Sequence, residues 1–348
     1  MKFKFKFLGI FICFFMTMSF VLPTNVNANE LNKSFDKEYV SKFMEVKDKN
    51  IVKVVELYSD TNFSVATYLE FSPTGYMIID NVSGLPIEFS EDKIASFIST
   101  SVGKVYYGGP LEYYIKDSTG YTDEFGNKQD IQTFESRYET SYKEYFNDMS
   151  MDKSQSLNNT YSDFYAPGYS LIPNYSYNPD GICGSTAAAM LLMYHDKYTN
   201  NYYVPSSLES SNGISFIEHL VPYIDGAVPG STISDAVNGL NSYLNDQGFV
   251  STAYFRSSYS LNKGVAMLGL TGGSKYREHW GVAYGIREYY GINPSSASIM
   301  NSDTQLNETA TYTTVIMVDG WGSKKVFIDM QYIDCALYLK WKSGYLSY

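Results

Sequence analysis

Along most of this chain the apolar residues recur with a period of two, and short polar clusters cut the pattern into strand-length pieces. Ser34 to Val46 is an early exception, with Phe35, Val40, Phe43 and Met44 at helical spacing. Strands are predicted from Val52 to Tyr58, Ser64 to Phe71 and Tyr76 to Asp80, with Ser72-Pro73-Thr74-Gly75 as the turn between the last two. Leu85 to Phe89 reads as an edge segment, because Pro86 has no amide hydrogen to give a ladder. A helix carrying Phe134, Tyr138, Tyr142 and Tyr145 closes this part. From Asn147 to about Tyr161 the residues are mostly Asn, Ser, Asp, Lys and Met without periodicity, which reads as a linker open to proteolysis.

The pattern then changes period. Ala187 to Tyr194 is apolar on every face, so its helix belongs inside a core. Ser206 to Leu220 and Thr232 to Asn245 are further helices, the second opened by Thr232 and Asp235 and striped by Ala236, Leu240 and Leu244. Strands follow at Ser251 to Arg256, Val265 to Leu270, His279 to Arg287, Thr311 to Val318, Lys325 to Asp329 and Ile333 to Leu339. Helices first and strands afterwards describe an α+β domain in which the apolar helix packs on an antiparallel sheet.

Composition narrows the classes. Charged residues are 18% and hydrophobic ones 44%, the balance of a globular chain rather than a disordered one. The formal net charge of −11 sets nucleic acid and anionic membranes aside as expected partners, since both are bound through basic patches. Lys2, Lys4 and Lys6 precede an apolar run from Phe7 to Leu22, and Val26-Asn27-Ala28 fits a small-residue cleavage site. Residues 1–28 therefore read as a signal peptide, and the expected product is secreted, with no stable membrane anchor.

Removal of the leader takes Cys13 with it and leaves Cys183 and Cys335. The pair allows one disulfide in an oxidising compartment, and it equally allows two free thiols. Cys183 follows the turn Asn178-Pro179-Asp180-Gly181-Ile182 and opens the apolar helix through Gly184-Ser185-Thr186. A thiol there feels the positive end of the helix dipole, which can lower its pKa from about 8.5 to roughly 3.5–7.5.

Three histidines limit the choice of a base. His195 lies on the Cys183 helix, about 18 Å further along the axis, and cannot serve it. His219 ends a predicted helix and reads as a dipole or solvent contact. His279 opens a strand whose alternation puts Gly281, Ala283 and Gly285 on its own face, which leaves room for the thiol-bearing helix to approach. A hydrogen-bonded structural histidine is the alternative. An imidazole base needs an orienting acceptor. Asp319 ends the next strand and can reach the ring, with Trp321 to shield that bond from water; a turn aspartate before Gly320 is the other reading.

Cys-Gly-Ser-Thr at a helix start, His279-Trp-Gly-Val-Ala-Tyr-Gly at a strand start and Val318-Asp319-Gly320-Trp321-Gly322, in that order, resemble the papain-like cysteine peptidases of the secreted bacterial branches, streptopain-like and C39-like. The resemblance covers roughly residues 165–348. It implies a papain-like fold in which Cys183 is the nucleophile, His279 the general base and then acid, and Asp319 the orienter, with no metal or organic cofactor. It also implies that residues 29–150 form an α+β pro-domain that inhibits its own enzyme, followed by a linker at 151–164, and that the substrate is a protein or peptide. These families place a Gln about six residues before the cysteine as an oxyanion donor. Here that position is Tyr177, and Asn178 carries an equivalent amide, as oxyanion donor or as a plain turn residue. Two further functions stay open: a cell-wall amidase or transglutaminase-like acyl transferase on the same fold, and an inert surface binding module.

Overall fold

A computed structural model of the chain describes residues 37–81, 84–129, 161–199, 203–226, 230–249, 251–271, 278–290 and 310–341. The leader, the helix around Phe134 to Tyr145, most of the linker and the loop from Ile292 lie outside the described residues.

The fold is α+β and is built on a single large sheet. In chain order its strands are β1 (Asn50–Tyr58), β2 (Ser64–Ser72), β3 (Tyr76–Asp80), β4 (Pro86–Ser90), β5 (Val105–Gly109), β6 (Glu112–Asp117), β7 (Gly120–Asp123), β8 (Lys128–Gln129), β9 (Tyr161–Tyr165), β10 (Ser251–Arg256), β11 (Ala266–Thr271), β12 (Glu278–Tyr290), β13 (Ala310–Val318), β14 (Val326–Asp329) and β15 (Ile333–Trp341). They neighbour one another in the order β10-β15-β11-β12-β13-β14-β4-β3-β2-β1-β5-β6-β7-β8, and β9 also pairs with β12. Short helices α1 (Lys37–Ser41) and α2 (Ser96–Thr100) accompany the first half, and α3 (Cys183–Thr199), α4 (Ile214–Ile224) and α5 (Ile233–Asp246) precede the strands of the second.

The predicted apolar helix is α3, buried from Cys183 to Tyr194. It shares a core with Trp280, Val282 and Tyr284 of β12 and with Phe216, Leu220, Leu240 and Leu244 of α4 and α5. The α5 start carries a complete capping box between Thr232 and Asp235, as its sequence predicts. The helix expected from Ser206 starts eight residues later. Gly213 takes a left-handed φ of 70° at its N-cap, and the polar Ser206–Asn212 stretch before it turns on itself through Leu208 N–H to Pro205 O and Gly213 N–H to Ser210 O. His219 consequently lies within α4, half-buried, its ring edge-on to Tyr243.

Strand β4 departs from expectation. It is not an edge but the joint of the sheet, between β3 and β14. Pro86 is tolerated because it is the first residue of the strand, at a register shift opposite Ile78 and Ile79. The ladder to β14 uses Glu88, Phe89 and Ser90 against Ile328, Phe327 and Val326. The Phe89 and Phe327 rings stack across it at 4.3 Å, an arrangement worth about 0.5–1.5 kcal/mol beyond its buried area.

The small residues of β12 also serve a different neighbour from the one predicted. A Cβ at Gly281 would lie 2.0 Å from Met317 Cε and 2.7 Å from Val318 O, and one at Gly285 2.6 Å from Phe164 O. Close approach is by β13 and β9, while α3 packs on the opposite, bulky face of the strand.

Arg287 of β12 ties three parts of the chain together. Its Nε donates to Asp163 Oδ1 at 2.5 Å, Nη2 to Asp163 Oδ2 at 2.9 Å, and Nη1 to Glu91 Oε1 and to the Phe43 carbonyl at 3.0 Å each. The guanidinium stands 4.0 Å over the Tyr161 ring and 4.1 Å over Phe327. Burial works against the Asp163 charge, yet the Arg287 bonds outweigh it and hold the carboxyl below its ordinary range.

Arg287→Met should destabilise the chain in denaturant unfolding by about 3 kcal/mol, because Asp163 and Glu91 lose three charge-assisted contacts and, among the described residues, keep only Lys325, at 3.3 and 3.5 Å, as counter-charge. Glu88 supplies a pH-dependent test of the joint. It is fully buried, accepts the Leu111 amide hydrogen at 2.6 Å and the Tyr76 and Tyr113 hydroxyls, and burial pushes it up to about 8 against those bonds. The folded chain keeps a proton that the unfolded chain releases near its ordinary pKa of about 4.3. Stability should therefore fall as pH rises from about 4 to 8 and then level off. Glu88→Gln should make that slope shallower, measured as the urea midpoint against pH; Asp329 and Glu124, raised by burial to about 7 and about 8, supply what remains.

Candidate active site

Cys183 is the first residue of α3, and its sulfur takes the amide hydrogens of Trp280 and Gly184. The chain reaches this point through a short 3-10 turn, Pro179–Gly181, preceded by Asn178, whose side chain makes no cap bond, with Gly181 at a φ of 79°. Thr186 Oγ1 donates to the Tyr177 carbonyl at 2.6 Å and fastens the turn to the helix. The nucleophile candidate is thus held against β12 one residue from His279.

His279 is 3% exposed. Its Nε2 lies 2.7 Å from the main-chain oxygen of Asp319. A carbonyl only accepts, so Nε2 carries the hydrogen and Nδ1 is left with the lone pair. The Trp321 ring covers the imidazole at 3.7 Å between centroids, tilted by 37°.

Asp319 meets His279 by a different atom from the one predicted. Its carboxylate Oδ1 accepts the amide hydrogens of Trp321 and Ser323 at 2.8 and 2.9 Å, and Oδ2 lies 3.7 Å from Lys93 Nζ. The side chain builds the Asp319–Ser323 turn, and the turn presents the carbonyl to the imidazole. Aspartate before Gly320, at a φ of 76°, suits that work because a short carboxylate reaches the amides two and four residues ahead. Asn178 is 6% exposed, and its Oδ1 has no hydrogen-bond partner among the described residues. Cys183 and Cys335 are buried and neither is in a disulfide, so the two are not bridged.

The first part of the chain surrounds this group. Lys93, after β4, donates to the Trp321 carbonyl at 2.5 Å. Phe125, after β7, lies 5.2 Å from the Trp321 ring. Leu111 joins Met317, Val326 and Ala283 in the core beneath Trp321. Glu112 of β6 is close enough to Cys183 for its charge to act on the thiol.

Electrostatics reverses the expectation for the thiol. Burial pushes Cys183 up to about 12, the charges of Asp225 and Glu112 add to the rise, and the two amide hydrogens that favour the thiolate are outweighed. A helix N-terminus lowers a thiol pKa when water or a counter-cation also serves the thiolate; here carboxylates stand in their place. Burial likewise takes His279 down to about 3, against its bond to Asp319 O. At neutral pH the proton therefore stays on sulfur and the ring is neutral.

His195 lies at the far end of α3, where burial takes it down to about 4, among the Tyr194 and Tyr203 rings. The reading that it cannot serve Cys183 agrees with that position. The residues that sequence reasoning missed are Lys93, Glu112 and Asp225, which lie far from Cys183 in sequence and carry no local motif.

No protein-family model matches the chain, and no curated protein is similar to it. Among solved structures, it is similar to a fragment of prointerpain A from Prevotella intermedia in which a cysteine is mutated to alanine, at 10% identity and a TM-score of 0.36, over 82% of this chain and 97% of that one. That likeness is faint, and the functional reading is drawn from the geometry instead.

The arrangement makes one sharp spectroscopic expectation. In ¹⁵N spectra His279 should be the neutral tautomer with hydrogen on Nε2 at pH 7 and should stay neutral down to about pH 4, well below the usual histidine range. A ring that titrates near 6.5 would contradict the buried, clamped geometry.

Proposed function

We propose that the chain is the latent precursor of a secreted cysteine peptidase of papain-like architecture. One observation carries the reading. A thiol at the start of a buried helix is held to the amide beside a histidine whose Nε2 is committed to Asp319 O beneath Trp321, leaving Nδ1 as the only basic nitrogen. That is the division of labour a nucleophile–base pair needs: one ring nitrogen anchored, the other free to take a proton.

In the proposed reaction the Cys183 proton passes to His279 Nδ1 as sulfur bonds to the peptide carbonyl carbon. The carbonyl electron pair moves to oxygen, to which Asn178 and the Cys183 amide donate in this reading. The C–N bond then breaks, the leaving amine takes the proton from His279, and water cleaves the thioester with His279 as base. Asp319 acts as orienter through its main-chain oxygen, and Trp321 keeps water from that bond.

A raised Cys183 and a lowered His279 suit a resting precursor. Residues 29–150 act as a pro-domain in this reading: Lys93, Leu111 and Phe125 cover the histidine side, and Glu112 opposes formation of the thiolate. Cleavage in the stretch 151–164 and departure of the first part would restore water to the site and remove the Glu112 charge. Both changes lower the thiol pKa and raise that of the imidazole.

The test is a comparison of the intact chain with the chain cut between residues 130 and 160, using a denatured protein substrate and an epoxide probe for reactive thiols. The intact chain should be silent and the cut chain active, with the probe on Cys183. Cys183→Ala and His279→Ala should each lower kcat/KM by about 10³ or more. Asp319→Asn should cost less than about tenfold, since the orienting carbonyl remains. Cleavage of cell-wall peptide but not of protein would move the assignment to an amidase, and a cut chain inert to probe and substrates would overturn it.

A further inference from the structure

The helix start that presents Cys183 has its cap supplied from elsewhere in the chain. An α-helix leaves its first amide hydrogens without partners, and the residue just ahead normally accepts one with a side-chain oxygen. Here that residue is Ile182, which has none. Asp225, immediately after α4 and 6% exposed, takes the role: its Oδ2 accepts the Ser185 amide hydrogen at 2.9 Å and also the Ser185 hydroxyl.

The other side of the same group is built just as closely. A Cβ on Gly184 would lie 3.0 Å from Asp225 Oδ1 and 2.1 Å from Ser231 Oγ, so only glycine fits behind the nucleophile. Ser231 accepts the Trp280 indole hydrogen on its main-chain oxygen at 3.0 Å. Trp280 in turn gives its amide hydrogen to the Cys183 sulfur. Asp225 and Ser231 thus flank Gly184 from one side.

We propose that Asp225 is a positioning residue for Cys183, capping the nucleophile's helix from a distant part of the chain and setting by its charge how readily the thiol gives up its proton. This deepens the cysteine-peptidase reading and rests on it for its purpose. The ionisable groups around the sulfur are Asp225 after α4, Glu112 on β6 and His279 on β12. Glu112 belongs to the part proposed to leave, and the His279 ring is neutral. Asp225 is therefore the one charge that stays with the thiol in the working enzyme.

The experiment reads the two thiols of the full chain separately. Iodoacetamide modification of Cys183 and of Cys335 is followed against pH by peptide mass in the wild type, Asp225→Asn and Asp225→Glu. Asparagine keeps an oxygen for the Ser185 amide and removes the charge. The Cys183 profile should move to lower pH by about one unit. At a fixed pH below the midpoint its rate should rise about threefold, because tenfold more thiolate is offset by about threefold lower nucleophilicity. Asp225→Glu should stay near the wild type, and Cys335, buried in β15, should be unchanged in both. If Asp225→Asn alone does not fold, pairing it with Ile182→Ser supplies a neutral local cap and carries the same readout. A Cys183 profile that does not move, or one that accelerates together with Cys335, overturns the proposal. Peptide hydrolysis by the cut wild type is scored independently, so a shifted thiol in a chain that cleaves nothing would sink the peptidase reading and leave the role of Asp225 standing.

Discussion

The antiparallel pairing of β4 with β14 is the constraint on which the site depends. Phe89 stacked on Phe327 fixes the register, and that register places everything following β4 over the second half of the chain. Lys93 reaches Trp321 and Asp319 because it lies three residues past the ladder. Glu88, inside the ladder, holds the Leu111 amide and so directs the β5–β6 turn toward the core beneath Trp321. Arg287 braces the same joint from below through Glu91 and the Phe43 carbonyl. The shared sheet is backed by a shared core, in which Phe43, Met77 and Phe89 pack with Tyr289, Tyr312 and Phe327.

Two opposing electrostatic effects meet at Cys183. The helix start and the amides of Trp280 and Gly184 favour a thiolate; burial and two carboxylates oppose it more strongly. The same burial keeps His279 neutral, so neither member of the pair can ionise the other. Removing water from a potential ion pair is enough to silence it, because the cost of creating two charges in a dry site exceeds their mutual attraction unless further donors and acceptors are supplied. Latency in this reading needs no blocked geometry beyond that, only cover.

Much of this was legible in the amino-acid sequence. Alternation located nearly every strand of the second half, and an apolar run on all faces located α3 with its cysteine at the end. What escaped was of two kinds. Strands β5, β6 and β7 are tyrosine-bearing and lack the clean alternation that marks a half-buried strand, β8 is only two residues long, and β4 contains a proline whose harmless position shows only once its partner is known. The roles of atoms within residues also escaped. Asp319 was recognisable as the partner of His279, yet the choice between its carboxylate and its carbonyl is made by the Trp321 and Ser323 amides, which claim the carboxylate first. Gly281 and Gly285 signalled close approach correctly, but a missing Cβ does not say from which side the neighbour comes.

The two carboxylates near the thiol differ in where they are anchored, and in the proposed activation that difference would order the events. Glu112 is carried by the β5–β6 hairpin, whose hold on the site passes through Leu111, Glu88 and ultimately the β4–β14 ladder. Asp225 is carried by α4, which shares its core with α3 and has no part in that joint. Opening the joint therefore removes one charge and leaves the other. The thiol passes from doubly to singly opposed, and the helix start keeps its cap throughout. Had both carboxylates come from the first part of the chain, its departure would have uncapped α3 at the moment Cys183 was needed in place. Placing the permanent charge on the scaffold and the removable one on the cover lets the site become reactive without loosening the residue that reacts.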